Sequence, residues 1–200
     1  MPYPCFFLES TNRCRRALRR YVLVDEPNDP RRTCSSSGIG YHNAEVLIED
    51  GTYSKTADGF YRTEPSEMPH DDPRWASHCI CGYEFRDADA WQLFWNPIYR
   101  RVDTGSEMTL RDAAVGAMYD ATWLHQLHGY RVIDGMTLVV KLPGGGEWVI
   151  DGESQGGGYW NRTGKPPKIT VRRSILASHY HGWLTDGVLS DDLDGRRYDK

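Results

Sequence analysis

The residues best equipped for chemistry are His78-Cys79-Ile80-Cys81-Gly82-Tyr83, where two thiols one residue apart follow an imidazole. Upstream stands Cys34, and His42 comes a short way after it. Thiolate and imidazole are the ligands zinc prefers, and four of them close a tetrahedral structural site. Cys34, Cys79 and Cys81 supply three, while His42, His70 and His78 compete for the fourth. His78 adjoins Cys79, and neighbours seldom reach the same ion, so His42 is preferred, then His70. The Cys-x-Cys gap is tighter than the usual two to four residues and has no matching second knuckle. Buried cysteines acting as small hydrophobes are therefore the rival reading. Cys5 and Cys14 are left as core or surface thiols.

Two further constellations could carry chemistry. His179 and His181, at strand spacing, would share one face; with Asp151 and Glu153 upstream they could make a metal-dependent hydrolase with a carboxylate base. The plainer reading is a hydrogen-bonded strand histidine between the aromatics of Tyr180-His181-Gly182-Trp183. The segment Trp160-Asn161-Arg162-Thr163-Gly164-Lys165-Pro166-Pro167 offers an aromatic plane, a guanidinium and a rigid Pro-Pro in one loop, able to stack on and pair with a ligand. Trp160, Arg162, Tyr180, His181 and Trp183 are thus the expected ligand or partner contacts. Gly144-Gly145-Gly146 and Gly156-Gly157-Gly158 are turns rather than phosphate loops, since neither leads into the Lys-Ser/Thr pair of a P-loop. His125 and His128 read as cap and surface residues.

The elements that must position these residues are mostly strands. Residues 3–24 read as one or two strands, with helical spacing at Cys14, Leu18 and Tyr21 as a competing pattern. Asp25 to Gly40 is a turn-rich loop carrying Cys34, Ala44 to Ile48 a strand, and residues 51–74 a long polar surface loop that a metal site would anchor. Two short helices are expected. One spans Arg86–Trp95, capped by Asp87, with Trp91, Phe94 and Trp95 on its apolar side; the other spans residues 114–127 and stops at Gly129. Met136–Leu142 and Trp148–Asp151 form a hairpin across the first glycine triplet. Ile169–Val171 and Tyr180–Leu189 close the chain as strands, the second bent at Thr185-Asp186-Gly187. The expected fold is α+β: a β-rich single domain over residues 1–200 with two short helices and a zinc staple, its metal-bearing half at 1–85 and a β-rich half at 130–190.

Composition narrows the uses. Net charge is -4 and the pI about 6.0, which gives no general nucleic-acid signal. The arginines between Arg13 and Arg20 are a local basic strip, read first as a solvated face and second as a phosphate or nucleic-acid contact. No apolar run approaches the ~18 residues of a membrane span. The start lacks a basic n-region, so it is not read as a secretory signal. Five cysteines, an odd number without an export signal, argue for thiols and metal binding over a disulfide framework.

Several segments together resemble a family of hypothetical proteins from actinobacteria and their phages. They are Pro4-Cys5-Phe6-Phe7-Leu8-Glu9, Leu18-Arg19-Arg20-Tyr21, Tyr41-His42-Asn43-Ala44, His70-Asp71-Asp72-Pro73-Arg74-Trp75 and Cys79-x-Cys81-Gly82-Tyr83. Leu110-Arg111-Asp112-Ala113, Gly116-Ala117-Met118, Trp160-x-Arg162-Thr163-Gly164-x-Pro166-Pro167 and Tyr180-His181-Gly182-Trp183-Leu184 continue the pattern, while Ser10, Ala114 and Val115 depart from it. The resemblance implies a phage or prophage origin and brings no activity with it. It points to a virion component or an accessory protein acting on host machinery. The expected function is therefore a non-catalytic, zinc-stabilised binding or assembly protein with protein partners, cytoplasmic in the bacterial host or virion-associated.

Overall fold

The computed structural model describes residues 2–22, 33–34, 41–52, 54–55, 61–62, 68–154, 157–177 and 179–198. Most of the expected 25–40 loop, parts of the 51–74 loop and Gly156 lie outside the described residues. By its contacts the chain divides into two compact units. One comprises Met1–Thr11, Lys55–Tyr61 and Ile98–Lys200; the other comprises Asn12–Ser54 and Arg62–Pro97.

The described elements are strands, β1 to β16, and one 3-10 turn. β1 (Tyr3–Pro4) and β2 (Phe6–Tyr21) come first. In β2 the buried residues fall mostly at even positions, Phe6, Leu8, Cys14, Leu18 and Arg20, with Val22 continuing the series; Ala17 is the buried exception and Asn12 the exposed one. That regularity outweighs the helical spacing of Cys14, Leu18 and Tyr21, because i and i+4 also share a strand face. β3 (Asn43–Thr52) pairs antiparallel with β2, and the register shifts between Arg16 and Ala17. Cys14 before the shift and Leu18 and Arg20 after it are all buried even positions, as expected if the extra residue belongs to β3. β4 (Ser54–Lys55) and β5 (Tyr61–Arg62) form a small ladder of their own.

Both expected helices are corrected. Arg86–Asp89 is a turn in which Asp89 accepts the Arg86 N–H at 2.8 Å, and the aromatics enter strand β6 (Ala90–Arg101). Trp and Phe fit a pleated surface better than a helix, and Pro97 would break a helix running on. The second expected helix divides into β8 (Ala117–Asp120) and a 3-10 turn at Thr122–Leu124. Gly116 (φ +87) immediately precedes β8, and a Cβ there would stand 2.6 Å from the Pro4 carbonyl oxygen. β8 is buried on both faces, and such a strand shows a continuous apolar run that periodicity cannot separate from a helix. The architecture is therefore β-rich without the two helices.

β7 (Glu107–Thr109), β9 (Leu138–Lys141) and β10 (Glu147–Val149) complete a sheet of order β10-β9-β8-β2-β6-β7, with β3 also paired to β2. In the first unit β8 runs parallel to the start of β2 and antiparallel to β9. Its faces feed two cores: Met118, Leu138 and Val140 on one side, Phe6, Leu8, Tyr119 and Val139 on the other. The first core is completed by β12 (Lys168–Arg172), β13 (Ile175–Ala177), β14 (Tyr180–Gly182), β15 (Leu184–Thr185) and β16 (Val188–Leu189), while β11 (Asn161–Lys165) pairs with β12. The expected β9–β10 hairpin and the bend at Thr185-Asp186-Gly187, which joins β15 to β16, are both present. No helix among the described residues is long and apolar enough to cross a membrane.

Candidate metal centre

Cys34, His42, Cys79 and Cys81 come together in the second unit, with one ligand atom from each lying within 4.8 Å of the others. Local chemistry explains how they meet. The end of β2 is tied to the start of β3 by Val22 N–H donating to the His42 carbonyl at 3.0 Å, which puts His42 beside the β2 terminus. Cys79 and Cys81 sit on a tight turn: Gly82 N–H donates to the Cys79 carbonyl at 2.9 Å, and Cys79 N–H to the Tyr83 carbonyl at 2.9 Å. Gly82 closes that turn at φ +89, a conformation glycine adopts without steric cost. Cys34 and Cys79 pack with Val22 and Phe85 in a small core, so the two thiols approach each other under hydrophobic cover.

The closeness of the four ligand atoms suits one shared ion. With zinc–sulfur bonds of about 2.3 Å, two ligating sulfurs stand ~3.8 Å apart, and a sulfur and an imidazole nitrogen ~3.6 Å apart. Cys34 Sγ and Cys79 Sγ are separated by 3.8 Å, and Cys81 Sγ lies 3.2 Å from His42 Nδ1. None of these cysteines is in a disulfide. The supporting groups are those that orient ligands and stabilise thiolate. The Asn43 N–H points at Cys79 Sγ at 3.4 Å, and the His42 ring is stacked on Tyr83 at 4.1 Å and 12°. Asn43 and Tyr83 were not singled out as site residues from sequence; their only signal was adjacency to His42 and Cys81. A backbone N–H at Tyr83 pulls the Cys81 thiol down, but desolvation and the neighbouring Cys34 and Cys79 thiols outweigh it and raise its pKa. Three crowded thiols resist joint ionisation unless a cation sits among them.

The alternative fourth ligands have other partners. His70 is stacked on Trp91 at 4.7 Å, and His78 Nδ1 lies 2.8 Å from the Ser77 hydroxyl. His42 is the imidazole of the cluster.

The expected contact residues are placed differently from the sequence reading. Segment 161–165 is a strand rather than a loop, and Arg162 is a core ion pair. Its Nε lies 2.7 Å from Asp151 Oδ1, the two side chains being 2% and 0% exposed. Tyr180 is fully buried, and its hydroxyl donates to the Ser190 carbonyl at 3.0 Å. Neither Arg162 nor Tyr180 presents its side chain at the surface. Trp160 packs at the edge of the first core with Trp148. His181 Nδ1 lies 3.0 Å from Asp194 Oδ1. Trp183, 44% exposed, is the member of the set that faces solvent.

Among the described residues the Cys/His cluster is the group of three or more ligating side chains within reach of one ion. Asp151, Glu153, His179 and His181 do not form another: Asp151 is committed to Arg162 and the Leu138 N–H, and His181 to Asp194. The basic strip is part of β2. Arg20 is buried, lies 3.5 Å over the Trp91 ring and donates to the Arg86 carbonyl at 2.5 Å. Arg19 donates to Asn43 Oδ1 at 2.7 Å, and Arg16 lies over Trp95 at 5.1 Å. Comparison with protein-family models, curated proteins and solved structures gives no match to this chain.

Proposed function

We propose that the protein is a non-catalytic binding or assembly protein whose metal-bearing unit is held together by one structural zinc ion. The observation that carries this reading is the donor set of three thiols and one imidazole, with their ligand atoms within 4.8 Å of one another. Soft thiolates select zinc, copper(I) or iron–sulfur chemistry, and imidazole beside them favours zinc. Four protein ligands leave no open position for water or substrate, which is the mark of a structural rather than a catalytic zinc site. The commitment of Asp151 and His181 to other partners supports the same reading over a metal-dependent hydrolase.

The resemblance noted in the sequence supports a phage or prophage origin, with the protein acting as a virion component or as an accessory protein on host machinery, in the host cytoplasm or on the particle. Protein partners fit this role better than nucleic acid, since Arg16, Arg19 and Arg20 already engage neighbouring rings and acceptors.

The test is elemental analysis of the purified protein beside Cys81→Ser, with native mass spectrometry of host lysate eluates and peptide mapping of purified particles. One equivalent of zinc in the wild type, lost in the variant, together with a defined protein partner or a fixed particle stoichiometry, is the expected result. Metal-free wild-type protein would overturn the zinc assignment. Turnover of a hydrolysable substrate, or absence of any protein partner, would overturn the binding role.

A further inference from the structure

We propose that the groove between Tyr3, Val115, Lys141 and Tyr198 binds a small amphipathic organic anion, an apolar body carrying one acidic group. The groove belongs wholly to the first unit and has no residue in common with the metal centre. Its volume is about 760 Å³, within the ~300–1,000 Å³ typical of small-molecule sites.

Two features define the ligand. The walls are mainly apolar, with two tyrosine rings and the short side chains of Ala114 and Val115, which suits a flat or aliphatic body. The charged lining residues are both cations, Lys141 and Arg197, with no carboxylate among them. Lys141 is held in place because its ammonium donates to the Leu110 carbonyl at 3.1 Å and the Arg111 carbonyl at 3.2 Å. An ammonium has three donors, so one remains for a ligand. Arg197 makes no ion pair among the described residues, whereas its neighbour Arg196 is engaged by Asp192 and Asp194. Tyr198 is fixed as a wall by donating its hydroxyl to Asp192 at 2.7 Å. It lies so close to Gly144 that a Cβ there would stand 2.9 Å from its ring. Cations beside apolar walls attract an anion more strongly than the same charges in open water, and of the two here Lys141 is held in place.

The proposal is tested by fluorescence titration of the full chain with 8-anilinonaphthalene-1-sulfonate and with its uncharged analogue N-phenyl-1-naphthylamine. Ala114→Trp fills the groove without altering charge, Arg197→Gln removes charge without altering shape, and Arg172→Gln removes an exposed charge outside the groove. All three positions are exposed, and circular dichroism confirms folding before titration. The expected result is saturable binding of one sulfonate per chain, abolished by Ala114→Trp and unchanged by Arg172→Gln. Arg197→Gln should weaken it about three- to tenfold, as loss of one solvent-exposed hydrogen bond worth about 1 kcal/mol requires. Equal binding of the neutral analogue, unchanged affinity in Ala114→Trp, or no saturable binding would overturn the proposal.

Discussion

Replacing Arg162 by methionine keeps most of the side-chain volume and removes the charge, leaving the Asp151 carboxylate buried with the backbone N–H of Leu138, at 2.8 Å, as its remaining donor. The substitution also strips the Ile133 carbonyl of its 2.9 Å donor. Breaking a buried ion pair from one side costs about 3–5 kcal/mol, because the remaining charge stays desolvated. That is a large part of the ~5–15 kcal/mol that holds a typical domain. With a urea m-value of about 2 kcal/mol/M, the unfolding midpoint should fall by roughly 1.5–2.5 M. Asp151→Leu should cost a similar amount. The double variant should cost less than the sum of the two, with a coupling of about 2–3 kcal/mol, because no charge is left stranded. The assay is equilibrium urea unfolding by circular dichroism and tryptophan fluorescence. A loss under ~0.5 kcal/mol in Arg162→Met, the range of an ordinary surface substitution, or strict additivity in the double variant, would refute the core role and restore Arg162 as a surface contact.

Other outcomes follow from the same structure. Stripping metal with a strong chelator should expose Cys34 and Cys79 to thiol reagents and lower the unfolding temperature of the metal-bearing unit, since binding energy in a structural zinc site is folding energy. Desolvation pushes the Asp192 carboxyl up, but hydrogen bonds from Tyr198, His181, Asp194 and Arg196 outweigh it and hold it at about 2. Because the folded value lies below the unfolded one of about 3.9, its stabilisation is full above pH ~4 and is lost as pH falls toward about 2; Asp192→Asn should flatten the melting temperature across that window. Gly116→Ala should cost about 2 kcal/mol or more, from positive φ plus the approach to Pro4. Gly105→Ala, at φ +76 with open space around it, should cost about 1 kcal/mol, so thermal melts of the pair separate strain from collision.

What could be read from sequence depended on how local the signal was. The β9–β10 hairpin announced itself through a glycine triplet between two apolar runs, and β3 through its β-branched core. Three of the four cluster ligands could be identified from residue type alone. For the fourth, the sequence preferred His42, then His70, and the Val22 bond to His42 and the stacking of His70 on Trp91 supply the physical reason. The helices were misread where periodicity is ambiguous: Trp91, Phe94 and Trp95 match a helical face, yet they lie on strand β6. Arg162 was misplaced for a different reason. Its partner Asp151 is on another segment, and nothing in a Trp-x-Arg-Thr-Gly motif shows that the guanidinium turns inward. The groove beside Lys141 was invisible, since it joins the first strand, a turn, a hairpin and the tail.

The central claim is the Cys34, His42, Cys79, Cys81 zinc site, and X-ray absorption at the zinc edge of the purified protein tests it most directly. Three sulfurs at about 2.3 Å and one imidazole nitrogen at about 2.0–2.1 Å is the predicted shell. A shell dominated by oxygen, or protein free of zinc with Cys34, Cys79 and Cys81 all reduced, would contradict it.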